Sequence, residues 1–361
     1  MSDAKRKTIE DVLAKLHDPH SDESLLDSKA VKDIDAEADP ARIRIVLGYP
    51  AEGYLAQLQQ EVTQALEQAG VPAEVNVEWK VSPHKVQKDL TPLEEVKNII
   101  AIASGKGGVG KSTTTVNLAL AMQAEGARVG ILDADIYGPS QPRMMGISGR
   151  PESDDGQHLE PMENYGLQTM SIGYLIEEDT PMIWRGPMVT QALQQLLRNT
   201  RWKGLDYLLI DMPPGTGDIQ LTLAQQVPVS GAVIVTTPQD IALLDARKGL
   251  KMFEKVDVPV LGVIENMSIH ICSNCGHEEH IFGAGGGERM AQEHQVDLLG
   301  ALPLDKRIRE ETDEGKPTVV AEPDSRIAQI YRQIARNMAG RLATQARNQV
   351  AAFPSIVIEN S

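Results

Sequence analysis

Residues 104–113 read Ser-Gly-Lys-Gly-Gly-Val-Gly-Lys-Ser-Thr, and Gly105 to Ser112 fits the spacing G-x-x-x-x-G-K-[ST] of a phosphate-binding loop. Backbone N–H groups of Gly105, Lys106, Gly107, Gly108, Val109, Gly110, Lys111, Ser112 and Thr113 are expected to wrap phosphate oxygens. The N-terminus of a following helix adds positive potential. The spacing assigns Lys111 to the β- and γ-phosphates and the Ser112 hydroxyl to Mg²⁺. Lys106 is a second cation in a loop that already has its lysine. The flanks agree with this reading. Asn98-Ile-Ile-Ala-Ile-Ala-Ser104 is an apolar run suited to a buried parallel strand. After the loop, Val116, Leu118, Leu120 and Met122 recur at helical spacing until Glu125-Gly126.

This strand–loop–helix unit sits in a chain of 361 residues, longer than one core usually grows, which predicts two domains. Residues 1–90 predict a small α/β domain, with helices over 8–16 and 55–68 and strands over 43–47 and 75–79. Residues 91–97 are the linker, 98–346 the P-loop domain and 347–361 a tail, with Phe353 and Ile356 as its docking points. Beyond the loop, strands are expected over 128–132, 206–210, 232–236, 260–264 and 298–302. Helices are expected near 219–226, 240–256, 288–295 and 326–346, the last capped by Asp324. Such alternation predicts an α/β P-loop NTPase fold, a mostly parallel sheet with helices on both faces.

Composition narrows the function. The formal net charge of −16 argues against a broad basic face for nucleic acid. No apolar run reaches the length of a membrane span, and Met1-Ser-Asp-Ala-Lys-Arg-Lys lacks the apolar segment of a signal peptide. The expectation is a cytoplasmic protein with no membrane or nucleic-acid partner.

Two carboxylate motifs accompany the loop. Asp133-Ala-Asp135 ends an expected strand, where ligands sit in open parallel sheets. Asp133 is assigned to Mg²⁺ and Asp135 to orienting the attacking water. Tyr207-Leu-Leu-Ile-Asp211 brings a further carboxylate to the Mg²⁺ side. Pro213-Pro-Gly-Thr-Gly217 follows it and has the composition of a phosphate-sensing switch. Asn266 is assigned to the adenine edge, with backbone near Pro303 closing the pocket. No Asn-Lys-x-Asp guanine signature occurs, which favours ATP.

The only cysteines are Cys272 and Cys275. A [4Fe–4S] cluster normally takes four thiolates, so a two-fold dimer would complete the set. The rivals are zinc held with His277 and His280, and a redox or inert pair.

The loop resembles the deviant Walker A motif of the MinD/ParA/nitrogenase-iron-protein class of ATPases. That resemblance implies a homodimer sandwiching two nucleotides, with Lys106 reaching the partner's phosphates and stabilising transition-state charge as an arginine finger does. Lys106, Lys111 and Asp135 are then the catalytic set. Asn266-Met-Ser-x₃-Cys272-Ser-Asn-Cys275-Gly, Asp133-Ala-Asp-Ile-Tyr-Gly-Pro-Ser140, Trp184-Arg-Gly-Pro-Met188, Asp211-Met-Pro-Pro-Gly-Thr-Gly-Asp218 and Phe282-Gly-x-Gly-Gly-Gly287 resemble the Mrp/ApbC family of iron–sulfur carrier ATPases, over residues 96 to about 340.

The family implies slow, switch-like ATP hydrolysis and a [4Fe–4S] cluster bridging two subunits. It also implies cluster transfer to apo iron–sulfur proteins, with cluster assembly scaffolds as further partners. Arg185 is placed near the dimer interface or in the turn before Pro187. Residues 1–90 resemble a small cluster-assembly domain, here without a cysteine, so docking is its expected role. Two other readings stand. A MinD/ParA-like positioning or partitioning ATPase would carry a basic amphipathic C-terminal helix, which residues 351–361 lack. A zinc-stabilised ATPase scaffold would use the Cys and His residues structurally.

Overall fold

The computed structural model describes residues 2–84, 90–176, 186–272 and 274–351. They form two compact units, divided after His84 and again inside the last helix after Met338. Trp184, Arg185, Phe353 and Ile356 lie outside the described residues.

The smaller unit runs α1 Ser2–Leu13, β1 His17–Asp18, β2 Glu23–Ser24, β3 Val31–Asp35, β4 Ala41–Leu47, α2 Leu55–Gln68 and β5 Ala73–Trp79. Its sheet has the order β3-β4-β5, with β4 antiparallel to β3 and parallel to β5. In β4 the residues Ala41, Ile43, Ile45 and Leu47 are buried while Arg42 and Arg44 are exposed, the alternation of a sheet with one covered face. The unit also takes the chain from Ala339 onward. Arg341 donates to the Ser21 carbonyl at 3.1 Å, and a Cβ on Gly340 would stand 2.5 Å from the His20 carbonyl oxygen. The helix that the sequence gives wholly to the P-loop domain therefore continues into the smaller unit.

The larger unit continues with β6 Val96–Ala103, α3 Lys111–Ala124, β7 Val129–Asp133, α4 Gln141–Met144, β8 Met162–Asn164, β9 Leu167–Ser171, α5 Gly186–Asn199, β10 Leu205–Asp211, α6 Asp218–Gln226, β11 Gly231–Thr236, α7 Asp240–Lys255 and β12 Val260–Glu265. It then forms β13 His270–Ile271, β14 Glu278–Glu279, α8 Gly286–His294, β15 Leu298–Ala301, α9 Lys306–Asp313, α10 Thr318–Ala321 and α11 Arg326–Ala351. Eight strands make one sheet in the order β15-β12-β11-β6-β10-β7-β9-β8. All its pairings are parallel except β8 with β9. Every residue of β7, β10 and β11 is buried, as a sheet flanked by helices requires.

The expected strands are present, and β8 and β9 extend the sheet at one edge. Both are short and carry polar residues, so an apolar-run search passes over them. The helix α11 is opened by Ser325 rather than Asp324: the Ser325 hydroxyl accepts from the Ala328 N–H at 3.2 Å, the bond an N-cap makes.

Parallel register places the site. Asp211 pairs with Ile102 on one side and with Asp133 on the other. The C-terminal ends of β6, β7 and β10 thus present the phosphate loop and two carboxylates side by side.

Candidate functional site

The loop's glycines have separate reasons. A Cβ on Gly105 would stand 2.1 Å from the carbonyl carbon of Asp245 in α7, so only glycine lets that helix approach. Gly110 has φ +82° and forms the N-cap of α3, a conformation that favours glycine. The Asn266 amide donates to the Val109 carbonyl at 2.8 Å and accepts from Met267 N–H at 2.9 Å. The side chain assigned to the adenine edge is thus joined to the loop backbone here. Gly215 N–H donates to the Ser104 carbonyl at 2.9 Å, which ties the Pro-Pro-Gly-Thr-Gly segment to the start of the loop.

The two lysines differ. Lys111 is 6% exposed and Asp211 fully buried, and the Lys111 ammonium pairs with Asp211 Oδ1 and donates to Ser112 Oγ at 3.1 Å. Lys106 is half-buried, and among the described residues its ammonium forms no ion pair. Its carbonyl accepts from Ser104 Oγ at 2.9 Å. Thr113 lies in the first turn of α3, its carbonyl accepting from Asn117 at 3.0 Å.

Three residues that the motif reading did not single out complete the carboxylate pair. Thr115 Oγ1 donates to Asp211 Oδ1 at 3.3 Å. Gln141 Nε2 donates to Asp211 Oδ2 at 2.9 Å and to the Ser112 carbonyl at 3.1 Å. Ser171 Oγ donates to Asp133 Oδ2 at 3.0 Å, and the backbone N–H groups of Asp135, Ser140 and Gln141 donate to Asp133 at 3.1 Å each. Only Gln141 carried a sequence signal, a polar residue directly after the Asp133–Ser140 motif. Burial, then the neighbouring Asp211 carboxylate, pushes Asp133 up to about 7. Burial also raises the Asp135 carboxyl, with Lys111 opposing.

This donor set fits a magnesium nucleotide. Lys111 joins the Ser112 hydroxyl to buried Asp211, Asp133 stands beside Asp211 in the sheet register, and among the described residues Gln141 Oε1 and Ser140 Oγ are buried without partners. Unmatched buried polar atoms mark places where a ligand or water belongs.

Pro303 lines a cavity of about 660 Å³ with Ser268, Ile269, Cys272, Leu304 and Ile327. Cys272 follows β13, which pairs antiparallel with β14. Its N–H donates to the His277 carbonyl at 2.9 Å, and its carbonyl accepts from Gly276 N–H at 2.9 Å. Both thiols are free, Cys272 half-buried and Cys275 exposed. Backbone N–H groups of Cys275 and Asn274 lower the Cys272 thiol below its usual range, favouring the thiolate that binds metal. The His280 Nδ1–H donates to the Ser268 carbonyl at 2.8 Å. Among the described residues no three His, Cys, Asp or Glu side chains converge as a metal site. Two glycines of 282–287 serve packing: Gly287 N–H donates to Glu265 Oε2 at 2.5 Å, and a Cβ on Gly286 would meet the Pro238 carbonyl at 2.8 Å.

A family model described as ParA, NUBPL iron-transfer P-loop NTPase, matches residues 95–339, and one described as iron-sulfur cluster assembly protein matches residues 6–79. The iron-sulfur cluster carrier protein of Escherichia coli K12 is 51% identical over 349 residues, covering 95% of this chain and 94% of that one. A nucleotide-binding protein from Archaeoglobus fulgidus in complex with ADP superposes with a TM-score of 0.57 at 36% identity, over 66% of this chain and 93% of that one. The cell division ATPase MinD of Pyrococcus furiosus shares the fold, with a TM-score of 0.51 at 23% identity over 67% and 98% of the two chains.

Proposed function

The chain belongs to the NUBPL iron-transfer P-loop NTPase family, and from that premise we propose that it is a cytoplasmic, ATP-switched carrier. It binds a [4Fe–4S] cluster between two copies of itself and delivers it to apo iron–sulfur proteins. The observation that carries this reading is the Cys272/Cys275 turn, two accessible free thiols on a short ribbon, in a unit that also holds a complete phosphate loop. Two thiols per chain make half a cluster's ligand set, and a two-fold axis makes the other half.

The residues act in a defined order. Backbone N–H groups of residues 105–113 receive the phosphates. Lys111 leaves Asp211 for the β- and γ-phosphate oxygens. Ser112, Asp133 and Asp211 would hold Mg²⁺, which would supply neutralisation of the phosphate charge. Asp135 orients water for attack on the γ-phosphorus, whose bond to the bridging oxygen breaks. Lys106, with no acidic partner among the described residues of its own chain, stabilises the developing charge on the partner's nucleotide. Asn266 positions the loop and borders the base, whose pocket is the cavity beside Pro303. Exposed apolar Tyr137, Ile241 and Leu244 are near neighbours in sequence of Asp135 and Asp245 and offer a face for the second copy. Cys272 lines the cavity proposed for the base, so nucleotide and cluster states are linked reciprocally. Cluster assembly scaffolds and apo-proteins are the partners, and the domain at residues 6–79 recruits them.

The test is anaerobic reconstitution with iron and sulfide. The expected result is a broad visible absorption with about four iron and four sulfide per dimer, lost in Cys275→Ala while ATP binding persists. A colourless protein with stoichiometric zinc overturns the reading.

A further inference from the structure

We propose that Gln141, assisted by Ser140, positions the water shell of nucleotide-bound Mg²⁺ through its side-chain oxygen. The proposal rests on the nucleotide reading above. Gln141 is fully buried and its amide orientation is forced. Nε2 faces two acceptors, the Ser112 carbonyl at 3.1 Å and Asp211 Oδ2 at 2.9 Å. A flipped amide would set oxygen against oxygen at both. Oε1 therefore points elsewhere, and among the described residues it has no partner. Its backbone N–H meanwhile donates to Asp133 Oδ2 at 3.1 Å. One residue thus touches the phosphate loop and both buried carboxylates, and still holds an unmatched acceptor. The adjoining Ser140 hydroxyl is buried and unmatched as well.

A buried acceptor calls for a donor. Among the described residues no protein donor reaches it, and the Asp133 and Asp211 carboxylates that Gln141 touches are engaged by Lys111, Thr115, Ser171 and backbone N–H groups. Magnesium keeps several waters when bound through one or two carboxylates, and a metal-bound water is a strong donor. When Lys111 moves to the phosphates, Asp211 loses its cation, and a hydrated divalent ion is the group that serves Asp211, Asp133 and Gln141 Oε1 together. Gln141 is a positioning residue in this scheme; it orients the metal's waters and fixes Asp211 and the Ser112 carbonyl against them.

The test uses the full chain and calorimetric titration of ATP, with EDTA and with Mg²⁺. Gln141→Met keeps the volume and removes both polar ends. It is expected to reduce the Mg²⁺-dependent gain in ATP affinity about tenfold, while Mg²⁺-free affinity stays within about twofold. A purely structural role would lower both affinities together in Gln141→Met, and that result overturns the proposal, as does a gain left unchanged. Ser140→Ala removes a hydroxyl with no partner among the described residues, so folding is not at issue. It should cost the Mg²⁺ gain about threefold, and if Gln141→Met fails to fold, that variant alone decides. A wild-type chain with no Mg²⁺-dependent gain refutes the nucleotide reading itself, a distinct outcome.

Discussion

At the phosphate loop, Lys111 is 6% exposed, its ammonium meets Asp211 and Ser112, and the carboxylates behind it are fully buried. At the cysteine ribbon of the same unit, Cys275 is exposed and neither thiol is bonded to another. The pocket is held by dense hydrogen bonding in a low-dielectric setting, where every polar group needs a partner. The ribbon is held by a two-residue strand pair and a turn, which leaves the thiols accessible to metal. Substitutions of the buried groups should therefore cost stability at the first region and function alone at the second.

The largest effect is expected at Lys111. Lys111→Met leaves the Asp211 carboxylate buried without its cation, and chemical denaturation should show a loss of about 3–5 kcal/mol together with loss of ATP binding. An unchanged midpoint would erase the contrast between the regions. Gly105→Ala comes next. Its methyl group would be forced into the backbone at Asp245, and thermal unfolding should report destabilisation of about 1–3 kcal/mol.

Asp133 gives a test through pH. Its carboxyl titrates at about 7 in the folded chain and near the ordinary value of about 3.9 when unfolded. From roughly pH 4 to 7 the folded chain keeps a proton the unfolded chain has lost, so nucleotide-free stability falls as pH rises and then levels above 7. Mg²⁺ requires the ionised form, so the Mg²⁺-dependent gain in ATP affinity should move oppositely. It should rise about tenfold per unit up to about pH 7 and flatten beyond. Calorimetry across roughly pH 5.5 to 8.5 measures both; parallel rather than opposed trends would show that Asp133 does not face the metal. The smallest effect on stability is expected at Cys272→Ala, within about 0.5 kcal/mol by denaturation, with iron uptake lost. Lys106→Ala should behave likewise, its stability unchanged and its turnover reduced about 10³-fold in a steady-state phosphate-release assay.

Much of the molecule was legible beforehand because its signals are local. The apolar runs of β6, β7, β10, β11 and β12, the glycine spacing of the loop and the strand-end carboxylates each follow from neighbours in sequence. The edge strands β8 and β9 were not legible, since short half-polar segments become strands only through pairing with β7. Helix α5 was also unassigned, although Val189, Leu193, Leu196 and Leu197 are buried along it. Nor was the engagement of Asn266, whose amide meets a carbonyl 157 residues away.

Sequence by itself determined that this chain builds a parallel α/β sheet around a two-lysine phosphate loop, with a lone cysteine pair. Backbone sterics and hydrophobic periodicity act over a few residues, so the order of amino acids suffices for these. Tertiary structure decided that Asp133 and Asp211 stand in register, that α7 presses on Gly105, and that Gln141 bridges loop and carboxylates. Those depend on which strands lie side by side and on how burial raises the cost of each unmatched charge, and both are settled only when distant segments meet.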